Sequence, residues 1–308
     1  VTWWTNIRFE KSFTADLCHL LQHSGCVGVS GGLEVASDRL LKLIDKGISL
    51  EQVTRVLKHF HDANIMVHAY LMYGYPTQTV QETMDSLEVV RQLFETGVLK
   101  SGFWHQFALT VHSPIGKNPR AFGITIDPTA TGPFANNDLR YTEDVVVDHD
   151  RFSFGLKKSL FNFMHGTMLH QPLSYWFDFP VPKTTMEASF IENYLQAERL
   201  PSYSDNQRVV WLADPPRSER IKKTKKGRSW NQLNFSWTYA SQLHTCTLED
   251  EQGLWLQQTL FAMRENEEFI RYKDWKASFE LAFPDDDVEL FFYNKLWKFL
   301  HGKGMVIV

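Results

Sequence analysis

Apolar and polar positions change period repeatedly along the first 125 residues, and each change marks an element. Residues 3–10 read as a strand, and 14–23 as a helix with Gly25 just beyond it. Residues 26–30 read as a short buried strand. The stretch 37–46 puts Leu40, Leu41 and Ile44 on one helical face and meets Gly47 at its end. A second helix follows directly. Ser49 is its N-cap, Gln52 completes a capping box, and Val53, Val56, Leu57 and Phe60 form its apolar stripe. Asn64 can close that helix in a left-handed conformation. Residues 65–73 are the third strand. Thr79 and Glu82 frame another capping box, and Val80, Met84, Leu87, Val90 and Phe94 line the helix that Gly97 ends. Residues 103–111 are the fourth strand.

Strand-helix alternation of this kind predicts parallel neighbours joined by right-handed crossovers. Four such units fit a small open sheet or half of an eight-stranded barrel. The pattern breaks after His112. Residues 113–148 are rich in Pro, Gly, Asn and Asp, with Phe122, Ile124, Ile126 and Phe134 as apolar anchors. Beyond them, 151–164 and 186–197 read as helices, and 209–213 and 233–240 as strands. The second strand alternates cleanly, with Leu233, Phe235, Trp237 and Tyr239 on one face. Residues 248–265 and 288–301 are amphipathic helices, Asp285–Asp287 cap the latter, and 305–308 form a last strand. The expected division is an α/β unit over 1–125, an irregular crossing over 126–149, and an α+β unit over 150–308.

A chain of 308 residues with a net charge of −4 gives no global reason to expect nucleic acid or anionic membrane as a partner. No run of about 18 apolar residues suggests a transmembrane helix. Three scattered cysteines, Cys18, Cys26 and Cys246, make no disulfide framework and favour a reducing compartment, the cytoplasm. The chain starts Val-Thr-Trp-Trp, without Met or signal peptide, and reads as a piece of a longer protein.

Candidate chemistry concentrates at strand ends, where ligands bind in parallel α/β proteins. GVSGGLE (28–34) carries strand, glycines and helix in the order that suits anion binding, yet it is neither G-x-G-x-x-G nor a P-loop. Glu34 and Ser37 fit helix capping as well as a ligand contact. MYGYP (72–76) fits a backbone surface for a flat heterocycle, and equally a plain strand-to-helix turn. His59 with His61, and His165 with His170, have poor metal-pair spacing, while His68 and His105 lie in strands and suit a satisfied core role. Cys18 and Cys26 behave as small core residues. The stretch 217–228 holds seven basic residues in twelve and reads as a solvated hairpin tip without interleaved aromatics.

Taken in order, NIRFE, GVSGGLEVASDRLLKLIDKGIS, NIMVHAYLMYGYPTQTVQET and SGFWHQFALTVHSP resemble the second half of the radical S-adenosylmethionine (SAM) enzyme core. The likeness covers about the first 120 residues and leans toward the group whose complete chains carry a cobalamin-binding domain. The resemblance implies an α/β fold, the C-terminal part of a (β/α)6 partial TIM-type barrel entered near its third strand, followed by an α+β extension. It implies S-adenosylmethionine, a [4Fe-4S] cluster on a C-x3-C-x2-C loop that this sequence lacks, and in that group cobalamin. The implied reaction is reductive cleavage of S-adenosylmethionine to a 5′-deoxyadenosyl radical, followed by methyl transfer or rearrangement. An electron donor such as flavodoxin or ferredoxin, and a small-molecule or peptide substrate, would be the partners. By position, Glu34 and Ser37, behind Gly31 and Gly32, match the ribose or carboxylate contact, and Arg8 is a weaker match to the strand-three contact. Met72, Tyr73, Gly74 and Tyr75 match the segment near adenine, and Phe107, Ala108 and Leu109 the backbone at its edge. Trp104, His105 and Tyr175 are candidates on the substrate side. Without the cluster cysteines, this chain alone is expected to be inactive.

Two other classes fit the residues. One is an unrelated small-molecule α/β enzyme using Glu34 and a strand histidine in acid-base work. The other is a non-catalytic module that binds through the basic loop 217–228.

Overall fold

A computed structural model describes residues 1–127, 137–144, 147–197, 202–265 and 270–308. The chain divides into two compact units, Val1–Phe13 with Cys26–Ala197, and Thr14–Gly25 with Glu198–Val308.

In the first unit β1 (Trp3–Ile7), β2 (Cys26–Glu34), β3 (Met66–Tyr73) and β4 (Ser101–Gln106) form a sheet in that order, every neighbour parallel. This matches the order expected from alternation. Between β1 and β2 the chain forms α1 (Ala15–His23), which belongs to the second unit. After β2 come α2 (Asp38–Leu43) and α3 (Leu50–Asp62), and α4 (Val80–Glu95) joins β3 to β4. The capping box of α4 is complete, with Glu82 N–H on Thr79 Oγ1 at 3.2 Å and Thr79 N–H on Glu82 Oε2 at 3.0 Å. The box expected at α3 is half formed. Ser49 Oγ accepts from Gln52 N–H, but the Gln52 amide turns away to Phe9 O at 2.9 Å. Asn64 takes the left-handed conformation, φ 59°, as expected.

Three boundaries differ from the sequence reading. β1 ends at Ile7. β2 continues through Gly31 and Gly32 to Glu34, so those glycines lie inside the strand and not at a corner. The strand expected over 103–111 stops at Gln106, because Leu109 O takes the N–H of Leu139 and Thr110 bridges to Asp138 instead of continuing beside β3. Alternation of Phe107, Leu109 and Val111 concealed that change of partner.

The crossing carries α5 (Pro114–Lys117) and a two-stranded antiparallel ladder of β5 (Ile124–Ile126) and β6 (Tyr141–Glu143). Phe134, an expected anchor, lies outside the described residues. Then come α6 (Ser153–Met164) and α7 (Phe190–Gln196). The compact units part near residue 198 and not at 150, since α6 and α7 pack within the first unit. Phe163 of α6 meets Phe94 of α4, and the Gln92 amide holds Ile191 N–H and Glu187 O.

The second unit holds β7 (Arg208–Trp211), β8 (Arg217–Lys225), β9 (Arg228–Tyr239) and β10 (Gln242–Glu249). It continues with α8 (Asp250–Glu265), β11 (Ile270–Arg271), α9 (Tyr272–Ala282), α10 (Val288–Leu290), a π turn over Phe291–Leu296, α11 (Trp297–Leu300) and β12 (Met305–Ile307). Its sheets are ordered β10-β9-β8 and β11-β7-β12, both antiparallel. The basic stretch is strand β8 plus a tight turn at Lys226 and Gly227, both at positive φ as a two-residue hairpin turn requires. Leu233, Phe235, Trp237 and Tyr239 are buried as alternation predicted, against Leu256, Trp275, Phe279, Phe291 and Phe292. The Phe279 and Phe291 rings stack 4.1 Å apart. Leu248 and Glu249, expected in a helix, instead end β10.

Candidate active site

In the first unit, polar side chains gather where the four parallel strands end. Glu34 closes β2 with φ 60°, a left-handed conformation costly for a side chain with a Cβ. Its carboxylate folds back to Lys46 Nζ at 2.6 Å, and both side chains are about one-fifth exposed. Arg8, just past β1, donates through Nη2 to Lys46 O at 2.7 Å. So the structure brings Arg8 and Glu34 together through a lysine the sequence reading had not used. The two glycines make this possible. A Cβ on Gly32 would lie 2.1 Å from Glu34 Oε1, and one on Gly31 would lie 2.6 Å from the buried Phe9 ring.

Capping falls to Ser37 and not to Glu34. Ser37 Oγ accepts from Leu40 N–H at the start of α2 and donates to Glu82 Oε1 at 3.4 Å. Arg39 forks onto the two Glu82 oxygens at 2.7 Å each and onto Thr77 O at 3.0 Å. Burial pushes the Glu82 carboxyl up, but Arg39 and the Thr79 N–H outweigh burial and hold it below the ordinary carboxylate range. This brace links α2, the β3–α4 corner and the N-terminus of α4.

At the end of β3, Gly74 has φ 76°, and Gln78 Oε1 accepts the N–H groups of Gly74 and Tyr75 at 2.7 and 3.2 Å. The side chains of Met72, Tyr75 and Leu109 are buried in one apolar cluster with Val35, Leu40, Ile115 and Ile124. Any ligand contact there runs through backbone. Tyr73 is buried, with its hydroxyl 3.4 Å from Gln106 Oε1. Phe107 is half-buried with its ring against Tyr75, and Ala108 is exposed.

Beside this segment lies a cleft of about 320 Å³, lined among others by Gly74, Gln106, Tyr141, Glu143 and His149. His149 is 6 % exposed, and neither ring nitrogen has a hydrogen-bond partner among the described residues. Burial pushes the His149 imidazole below its ordinary value, against the pull of Asp148 and Asp150. Burial raises the Glu143 carboxyl, and pushes the Tyr141 hydroxyl up to about 12. The Gln78 amide nitrogen is likewise buried and unpartnered. Orphaned buried donors and acceptors cost about 1–3 kcal/mol each, so the two His149 nitrogens beside this cleft make it a candidate place for a polar ligand. Sequence reasoning missed His149, which lies in the crossing segment where no periodicity points to a site.

Of the other candidates, His68 and Ser101 face each other, Nδ1 to Oγ, at 2.8 Å, and burial holds His68 below its ordinary value. His105 is half-buried, whereas Trp104 is fully buried and unavailable to a substrate. The cysteines do not fit an iron-sulfur cluster. Each is buried, burial raises the Cys26 thiol and pushes Cys246 up to about 12, and no three His, Cys, Asp or Glu side chains converge as metal ligands among the described residues. No helix among those residues is long and apolar enough to cross a membrane.

A parallel α/β sheet with a polar strand-end site defines the structural class. Residues 7–90, which span β1 to most of α4, match the family model of the radical SAM superfamily. An uncharacterized protein of Methanopyrus kandleri is 32 % identical over 72 residues, which are 23 % of this chain and 14 % of that protein. The match therefore spans a small part of that relative's length. Two solved structures are more distantly similar. One is the radical S-adenosylmethionine methyltransferase TsrM of Kitasatospora setae, with cobalamin and a [4Fe-4S] cluster bound. It shares 20 % identity at a TM-score of 0.33, over 42 % of this chain and 26 % of that one. The other is the archaeal Elp3 of Methanocaldococcus infernus, 12 % identical at a TM-score of 0.34, over 100 % of this chain and 78 % of that one. Neither superposition is near enough to carry an argument.

Proposed function

We propose that this chain is the S-adenosylmethionine-holding part of a radical SAM enzyme. The observation that carries the reading is the overlap of the family match over 7–90 with the strand ends at which Lys46 joins Arg8 and Glu34. In this reading the sheet is the C-terminal part of a (β/α)6 barrel. Of the ribose and carboxylate contacts that the resemblance implied, Glu34 would suit the ribose, accepting hydrogen bonds from its hydroxyls, since two carboxylates repel. The adenine edge would meet the main chain at Met72–Tyr75 and Phe107–Leu109, through the groups not already engaged: Gln78 Oε1 holds the Gly74 and Tyr75 N–H groups, Tyr73 O accepts from Phe107 N–H, and Leu109 O accepts from Leu139 N–H. When bound, the cofactor would supply a 5′-deoxyadenosyl radical, its C–S bond breaking on uptake of one electron from an external donor with methionine as the leaving group. The protein's share is to bind and orient it. The cluster has no ligand set among the described residues. Cobalamin-dependent methyl transfer or rearrangement is the finer proposal, and it rests on the sequence resemblance of residues 1–120 alone.

The complete enzyme, made anaerobically with its cluster, tests this. S-adenosylmethionine should bind saturably and yield 5′-deoxyadenosine on reduction. Absence of both in a protein with a full cluster content would refute it. The acid-base alternative rests on Glu34 and a strand histidine. With Glu34 engaged by Lys46 and His68 by Ser101, it has less support from the geometry.

A further inference from the structure

Helix α6 buries Leu156, Leu160 and Phe163 toward its own unit, yet its other side is also aromatic. Phe154 is 73 % exposed and Phe161 59 % exposed, and His165, just past the helix, lies against Phe161 with ring centres 4.4 Å apart and planes tilted by 41°. Phe154, Lys158, Phe161 and His165 fall at i, i+4, i+7 and i+11, so they line one face over about 16 Å. A helix apolar on both sides is normally covered on both.

Where this face meets the segment 175–179, a cleft of about 480 Å³ opens, a size typical of ligand sites. Its walls include Phe154, Tyr175, Phe177 and Phe179, and its cations are Arg151 and Lys158. The Arg151 guanidinium lies 3.5 Å over the Phe179 ring, and Lys158 Nζ is 5.8 Å from the centres of both Phe154 and Tyr175. Arg151, Lys157 and Lys158 form no ion pair with a carboxylate among the described residues. Trp176, also in the lining, is 3 % exposed with its indole N–H unpartnered. Asp178 is also in the lining, a carboxylate that a phosphate would avoid.

We infer that this surface binds single-stranded nucleic acid, one base entering the cleft between rings and the strand continuing along α6. The exposed rings of Phe154 and Tyr175, with cations beside them that have no carboxylate partner among the described residues, suit bases joined by phosphates; the Arg151 guanidinium already covers one face of Phe179. A lipid surface would suit a convex apolar face, and these rings enclose a concave one. The overall charge of −4 gave no hint of this, because the signal is local. The basic hairpin 217–228 is the competing surface, since Trp230, 42 % exposed, pairs across it with Lys223, but it encloses no cleft between rings. This inference does not rest on the radical SAM reading.

The test is fluorescence anisotropy of a labelled oligothymidylate of about ten nucleotides with the 308-residue chain, melting curves confirming that each variant is folded. Saturable binding is expected. Tyr175→Ala and Phe154→Ala, both at exposed positions, should each weaken it about tenfold. Three neutralised phosphates predict a roughly twentyfold loss of affinity between about 50 and about 200 mM salt. Reversing Lys222, Lys223, Lys225 and Lys226 together should change affinity less than about twofold. Four results would each overturn the inference: no binding at low salt, loss of binding with the hairpin reversal but not the cleft variants, a mononucleotide binding as tightly as the oligomer, or binding only to anionic phosphatidylserine vesicles.

Discussion

Replacing Glu34 separates a ligand contact from a structural brace. The side chain makes one strong interaction, the 2.6 Å pair with Lys46, in which both partners are about one-fifth exposed. A pair in that setting contributes about 0–1 kcal/mol to folding. Glu34→Ala keeps a Cβ at φ 60°, so the backbone strain is unchanged and the expected loss of stability is at most about 1 kcal/mol. Glu34→Gly relieves about 1–2 kcal/mol of left-handed strain and returns about 0.4–1 kcal/mol of unfolded-state entropy. That variant should therefore melt within about 1 kcal/mol of wild type. If the carboxylate accepts hydrogen bonds from the cofactor, both variants lose about 1.5–3 kcal/mol of binding, a roughly tenfold to hundredfold weaker affinity. Lys46→Met supplies the reciprocal control. It removes the same pair and keeps the carboxylate, so it should cost similar stability and leave affinity within a few-fold. The assay is calorimetric titration of S-adenosylmethionine, the cofactor of the proposed function, into wild type and the three variants, beside thermal unfolding of all four proteins. Unchanged affinity in both Glu34 variants, with a lower melting temperature in Glu34→Ala, would show that Glu34 only braces Lys46, and the site assignment would be wrong.

Other outcomes follow from the same geometry. Gly31→Ala should destabilise the first unit by about 1–3 kcal/mol, read by denaturant unfolding, because its methyl would press on the fully buried Phe9 ring. The Glu82 carboxyl lies below its ordinary 4.5 in the folded chain, so its contribution is present above that pH and lost as pH falls through the folded value; Arg39→Ala should flatten this acid limb of a stability-versus-pH curve. His149→Leu should raise the melting temperature by removing two orphaned nitrogens and weaken ligand binding in the adjoining cleft, whereas a fall in stability would reveal a partner for the imidazole. Phe279→Ala should cost about 3–5 kcal/mol and unfold the second unit first, measured by hydrogen exchange, since its ring stacks on Phe291 in the core.

The fold was legible where a local signal and a long-range partner agree. Apolar stripes, caps and Gly stops located α1 to α4, and alternation found the buried face of β9. It was illegible where the same residues satisfy two partners. Leu109 alternates as a strand residue should, yet its carbonyl serves Leu139 thirty residues on. The glycines at 31 and 32 look like a turn, but they are strand positions kept bare so that Phe9 and the Glu34–Lys46 pair can pass close to the backbone. A glycine needed for approach and a glycine needed for a turn are the same letter.

The candidate site shows the same limit in its polar chemistry. Its end-of-strand members were found from Glu34, Ser37 and the MYGYP turn, because strand ends are where a parallel sheet leaves backbone unpaired. Their partners could not be found that way. Lys46 sits beside Gly47 at the end of a predicted helix, where a cation is ordinarily explained by the helix dipole, and nothing nearby in sequence signals that it reaches Glu34. Arg39 has the same ambiguity, being an exposed helical arginine until α4 brings Glu82 to it across 43 residues. In both cases one charge is placed by local structure and the other by topology. Sequence alone therefore proposes the carboxylate that a ligand could meet, and the fold decides how much of that carboxylate is already engaged. For Glu34 one oxygen is committed to Lys46 at a partly exposed position, so a cofactor would have to share or displace that lysine. That competition is why the Lys46→Met variant, and not a further carboxylate substitution, is the informative companion to Glu34→Ala.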